Sequence, residues 1–157
     1  MTSQLSEDAS LASLVARSAQ VAPGRIDSYG PHPDQVIEWF AGRASPLAPV
    51  VLVHGGYFRP RTDRSHARLT AEALAHQLDR PVVLAEYRRV SGHPEATVAD
   101  ICAISDLLEG LLEGPAVWVR HSAGGTLVLQ RAFDQVRPPA PTVIRSRPCW
   151  PSWTTPP

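Results

Sequence analysis

The chain has 157 residues, 15 of them basic and 15 acidic, for a formal net charge of zero. That length fits one domain able to bury a core, and the charge balance gives no electrostatic basis for binding nucleic acid or an anionic membrane. No stretch approaches the roughly 20 apolar residues of a membrane span, residues 1–22 lack the basic start and apolar run of a signal peptide, and Cys102 and Cys149 make no metal-binding pattern. A cytoplasmic protein is expected.

In chain order, residues 5–20 place Leu5, Leu11, Leu14, Val15 and Ala19 among polar residues, which predicts a short amphipathic helix. Pro23-Gly24 ends it. Residues 34–40 alternate enough to read as a strand. Residues 49–53, PVVLV, form a continuous β-branched run of the kind found in a strand buried on both faces. The following HGGYFRPRTD must be a loop. Asp63 can cap the next helix, in which Ala67, Ala71, Leu74 and Leu78 share one face. Residues 81–86 read as a second buried strand. Thr97 and Asp100 resemble a capping box, and Ile101, Ile104, Leu108 and Leu111 continue at helical spacing. Cys102, inside this pattern, reads as a small core residue. Residues 115–119 form a third buried strand, with Trp118 in the core, and residues 123–136 a last helix.

Strands and helices therefore alternate, which predicts an α/β fold: a mostly parallel sheet with right-handed crossovers and helices on both faces. The chain divides into an N-terminal helix and linker (1–33), a core (34–137) and a Pro-rich irregular tail (138–157). That tail holds seven of the 16 prolines and can form neither a helix nor a central strand. Thr142-Val143-Ile144 look like the opening of one more strand, after which the pattern stops; a frameshift or truncated gene would produce such an ending.

Two segments carry chemistry. In Val119-Arg120-His121-Ser122-Ala123-Gly124-Gly125 a serine sits between a strand and a helix, the context of a nucleophile elbow. There the amides and dipole of the helix N-terminus favour developing negative charge. His54-Gly55-Gly56-Tyr57 follows the first buried strand, and its glycines allow close approach of the backbone to a substrate. In an open parallel sheet both turns emerge at the carboxyl ends of strands, where ligands bind.

HGG followed by an aromatic, then Tyr87-Arg88 after the next strand, then HSAGG resembles the HGG branch of the α/β-hydrolases, the HGGYF spelling being nearest to kynurenine-formamidase-like enzymes. The resemblance covers roughly residues 34–136. It implies an incomplete α/β-hydrolase fold, with Ser122 as nucleophile, an oxyanion hole from the amides of Gly55, Gly56 and Ala123, and Tyr57 or Phe58 lining the substrate pocket. It implies acyl transfer from a small-molecule ester or amide to water through an acyl-enzyme, with no cofactor and no metal.

The chain departs from the family pattern in two places. Arg120 replaces the first glycine of the elbow; burying its charge unpaired costs on the order of several kcal/mol, unless it bends out to solvent. The family's triad runs serine, acid, histidine along the chain. After Ser122 the acid is Asp134, too early for the role, and no histidine follows His121. Impaired catalysis is expected, and a non-catalytic remnant that binds a small acyl ligand, or an unstable fragment, is the rival reading. Ser122 also admits a plain helix-cap role. His54 and His121 stand at motif positions that are structural in the family. His66, His76 and His93 read as solvent-facing, and His32 as a loop residue between prolines. Arg59, Arg61, Arg64, Arg88 and Arg89 read as a solvated set or as a basic patch attracting an anionic substrate.

Overall fold

A computed structural model describes residues 2–41, 47–112 and 114–136. The elements are α1 (Thr2–Ala19), β1 (Arg25–Ser28), β2 (Val36–Phe40), β3 (Val50–Val53), a 3-10 turn (Arg64–Ala67), α2 (Arg68–Leu78), β4 (Val82–Ala85), α3 (Pro94–Leu111), β5 (Val117–Arg120) and α4 (Gly124–Val136). The five strands lie in the order β1-β2-β4-β3-β5. β3 runs parallel to both β4 and β5. β2 runs antiparallel to β1 and to β4, so the sheet is mixed and its parallel part is β4-β3-β5. The sequence reading found β2 to β5 and missed β1, a four-residue polar edge strand held by Arg25, whose guanidinium lies 4.5 Å over the Trp39 ring, and by a 2.8 Å bond from Trp39 Nε1 to Asp27. The tail at 138–157, the strand expected to open at Thr142, and Asp134's side chain lie outside the described residues.

The β-branched runs are buried on both faces because two helical layers cover them. Alternate residues of a strand point to opposite faces. Val51, Val53, Val83 and Ala85 pack with Ile37 against Val98, Ile101, Ile104 and Leu108 of α3 and Leu127 of α4. Val50, Leu52, Val82 and Leu84 pack with Phe40 on the other face against Ala67, Ala71 and Ala75. Each fully buried Val or Leu contributes about 1.5–3 kcal/mol. Asp63 caps the 3-10 turn that leads into α2, accepting from the Ser65 amide at 3.0 Å. Cys102 packs against the first cluster, as the helical pattern predicts.

Three further expectations change. In α1, Ser18 is fully buried, donates to the Ser65 carbonyl at 2.9 Å and accepts from the Leu69 amide at 3.1 Å, whereas Leu14 and Val15 of the expected apolar stripe are exposed. Thr97 and Asp100 do not form a capping box, because α3 begins at Pro94. They instead face the strand exit: Thr97 donates to the Arg88 carbonyl, and Asp100 takes the Arg88 amide and guanidinium. β5 is not fully buried. It pairs with β3 on one side and borders no other described strand, so Val117 and Arg120 are exposed. Trp118 is half-buried with the Arg131 guanidinium 4.2 Å over its ring.

Candidate active site

Strand register brings the distant motifs together. Val53 pairs with Ala85 on one side and Arg120 on the other. The next residue of each strand, His54, Glu86 and His121, therefore leaves the sheet in one row at its carboxyl end. The His121 amide continues the row by donating to the Val53 carbonyl at 3.1 Å.

Ser122 has φ of +52°, the left-handed region that a non-glycine residue seldom occupies. Its turn is closed by Gly124 N–H to the His121 carbonyl (3.0 Å) and Gly125 N–H to the Ser122 carbonyl (2.8 Å), which starts α4 directly behind the serine. The hydroxyl-bearing side chain stands exposed at this helix start. Two glycines allow the arrangement. A Cβ on Gly124 would lie 2.3 Å from the Val53 carbonyl oxygen, and a Cβ on Gly55 would lie 2.8 Å from Ser122 Cβ and 2.9 Å from the His121 carbonyl oxygen. The loop after β3 is thus pressed against the turn after β5, as the two motifs predict. Ala123 follows Ser122 at the half-buried head of α4.

The loop itself turns through Gly56 (φ +121°) and then Tyr57 and Phe58, both at φ +55°. Arg59 N–H closes it on the Gly56 carbonyl at 3.0 Å. Tyr57 is exposed under the Arg59 guanidinium, and Phe58 lies 6.5 Å from the Tyr87 ring.

Arg120 does not bury its charge. Its side chain is exposed and runs past Gly125, where a Cβ would sit 3.3 Å from Arg120 Cδ. The cost of burying this charge is avoided because β5 borders no described strand other than β3.

Beneath the loop lies a charged layer that the sequence reading missed. Glu38 and Glu86 are fully buried. Glu38 holds Arg68 in a two-pronged pair (2.6 and 2.8 Å) and Arg64 at 2.7 Å. Glu86 accepts from the Arg64 amide (2.8 Å), Tyr87 amide (3.0 Å), His54 Nε2 (3.1 Å) and Arg89. Burial pushes the Glu86 carboxyl up, but its hydrogen bond from His54 and the charges of His54 and Arg89 outweigh this and lower it to about 2. Asp100, also buried, pairs with Arg88 and accepts from Gln35 at 2.8 Å. Arg64, Arg88 and Arg89 are therefore structural partners of buried acids, neither a solvated set nor a substrate-attracting patch; Arg59 and Arg61 remain exposed. Alternating strand patterns hide such acids, since Glu38 and Glu86 look like outward-facing residues until their partners are placed.

The histidines separate. His54 is fully buried, stacked 4.5 Å from the Tyr87 ring, with both ring nitrogens engaged, and so has a structural place. His121 is exposed beside Ser122. His66 is half-buried, not solvent-facing: its ring lies edge-on 5.3 Å from His54, and Nδ1 donates to the Asp63 carbonyl at 2.5 Å. Burial and the nearby His54 lower its pKa. His32, His76 and His93 are exposed and stand apart from these contacts.

No family model matches the chain, and no curated protein matches it. Solved structures do. Esterase B from Lactobacillus rhamnosis, in a structure with a tributyrin phosphonate, is 25% identical with TM-score 0.59 over 84% of this chain and 48% of its own. Esterase LipW from Mycobacterium marinum is 21% identical with TM-score 0.60 over 84% of this chain and 45% of its own. An α/β-hydrolase enzyme from the metagenome of Lake Arreo is 19% identical with TM-score 0.51 over 78% and 45%. The chain spans less than half the length of these structures. No helix among the described residues is long and apolar enough to cross a membrane. Strand order, crossovers and these matches agree that the chain has an incomplete α/β-hydrolase fold.

Proposed function

We propose that the chain carries the nucleophile and oxyanion side of a serine hydrolase of the HGG branch, acting on carboxylic esters or aryl-formamides. The observation that carries this reading is Ser122 held at positive φ at the head of α4 with Gly55 packed against it. Left-handed strain in a serine is kept where it serves a purpose. Here it lifts the hydroxyl clear of the sheet at a helix N-terminus, where developing negative charge is stabilised. Gly55, Gly56 and Ala123 supply the oxyanion donors, and exposed Tyr57 and Phe58 border the entry for a small ester or amide. No cofactor enters this chemistry.

His54 has both ring nitrogens committed below the loop and so does not serve as the base for Ser122 in this reading. The experiment is hydrolysis of a short-chain aryl ester by the purified chain beside its Ser122→Ala variant, with fluorophosphonate labelling of each. Serine-specific labelling that the variant lacks fits the proposal. Equal labelling of both proteins removes Ser122 as the nucleophile. Turnover that vanishes in the variant also fits it and turns attention to His66 and His121 as the base.

The commitment of both His54 ring nitrogens below the loop favours a second reading, a non-catalytic protein that binds a small acyl ligand in the same cleft. It is distinguished by ligand-dependent thermal stabilisation without any Ser122 labelling.

A further inference from the structure

His54 Nδ1 lies 2.6 Å from the Gly55 carbonyl oxygen and Nε2 lies 3.1 Å from Glu86 Oε1. A carbonyl oxygen only accepts. Glu86 is surrounded by donors: the amides of Arg64 and Tyr87 and the guanidinium groups of Arg64 and Arg89, besides His54. A carboxylate so placed is ionised and only accepts. Both neighbours of the His54 ring are thus acceptors. A neutral imidazole has one N–H, so one of these contacts would set two lone pairs against each other in a site without solvent.

We propose that Glu86 is a positioning residue for the loop carrying Gly55 and Gly56: it holds His54 as a doubly protonated imidazolium whose second proton pins the Gly55 carbonyl. The consequence for the loop is geometric. In a trans peptide the carbonyl and the following N–H point in opposite directions, and no peptide here is cis. Drawing the Gly55 carbonyl onto the buried ring therefore turns the Gly56 N–H away from it, out of the core. This inference rests on reading that amide as an oxyanion donor. A flipped Gly55–Gly56 peptide would present a carbonyl oxygen in its place, which repels an oxyanion.

The groups facing His54 come from every element around it. Glu86 at the end of β4 favours the second proton. Arg64 on the 3-10 turn and Arg89 on the loop after β4 oppose it, but Arg64 is shared with Glu38, and Arg89 lies 3.9 Å from Asp34. His66 meets the ring edge-on, with its Nδ1 proton on the Asp63 carbonyl. Tyr87 stacks on the ring and donates its hydroxyl to the His54 carbonyl at 2.8 Å. His121, across Gly55, places Nδ1 3.2 Å from where a Gly55 Cβ would lie.

The test is 15N NMR of the full chain labelled at histidine and glycine, at pH 7.5, for wild type and Glu86→Gln. The expected wild-type spectrum shows both nitrogens of the His54 ring protonated. In Glu86→Gln the ring drops to one protonated nitrogen, and the Gly56 amide resonance moves with it. A singly protonated wild-type ring overturns the proposal, and so does a Glu86→Gln protein whose His54 and Gly56 signals are unchanged. The wild-type spectrum decides alone if Glu86→Gln does not fold. None of these signals depends on turnover, so an unreactive Ser122 would remove the hydrolase reading and leave this result standing.

Discussion

A side chain on Gly55 would place its Cβ 2.8 Å from the Cβ of Ser122, nearer than two such atoms approach in folded proteins. The loop after β3 and the turn after β5 are in contact only because position 55 has no side chain. Gly55→Ala must push the two apart, and overpacking of this kind costs about 1–3 kcal/mol. The expected outcome is a lowered urea midpoint and at least a tenfold slower fluorophosphonate reaction at Ser122. Unchanged labelling would separate the loop from the serine's reactivity.

Ser122 itself stores strain. At φ of +52° a residue with a Cβ pays about 1–2 kcal/mol relative to a right-handed conformation, whereas glycine accepts this region freely. Ser122→Gly should therefore be more stable than Ser122→Ala by about 1 kcal/mol, although glycine elsewhere weakens a fold. Denaturant titration of the two variants measures this directly, and equal midpoints would mean that the turn relaxes without strain.

Glu38 is the anchor between β2, the 3-10 turn and the start of α2, through Arg64 and Arg68. Removing one partner from a buried ion pair leaves the other charge uncompensated and costs about 3–5 kcal/mol. Glu38→Ala should lose stability in that range. Arg68→Ala should lose less, because Arg64 still holds the carboxylate and the Arg68 side chain is partly exposed. A larger loss from Arg68→Ala would invert this order and place the anchor elsewhere.

Glu86 makes acid sensitivity predictable. Its folded pKa, about 2, lies below the ordinary 4.5. A depressed carboxyl contributes stability that is fully present above the unfolded value and is lost as pH falls through the folded one. The contribution is on the order of 3 kcal/mol at neutral pH and disappears between about pH 5 and pH 2. Urea midpoints measured across that window should fall steeply in the wild type. Glu86→Gln should be less stable at neutral pH and show a shallower fall; parallel curves would mean that other carboxyls dominate.

Much of this arrangement was legible in the residues. The runs at 49–53 and 81–86 announced strands covered on both faces, because β-branched residues without alternation have nowhere to face water. HGG and the serine turn were legible because each needs particular residue types at a strand end. That β5 pairs with β3 alone among the described strands was not, since VWV reads the same whether one neighbour or two flank it. The ion pairs were not legible either: Glu38 meets Arg68 across 30 positions and Glu86 meets Arg64 across 22, and nothing local marks an acid as buried.

The amino-acid sequence by itself determined the alternation of strands and helices and the place of Ser122 at a strand–helix turn, since both follow from local patterning and backbone preference. Only the tertiary structure decided that the sheet is mixed, that Arg120 escapes to solvent, and that His54 is clamped between Glu86 and the Gly55 carbonyl. Those outcomes depend on register between distant strands and on burial of charge, whose free energy is set by the partners that surround it.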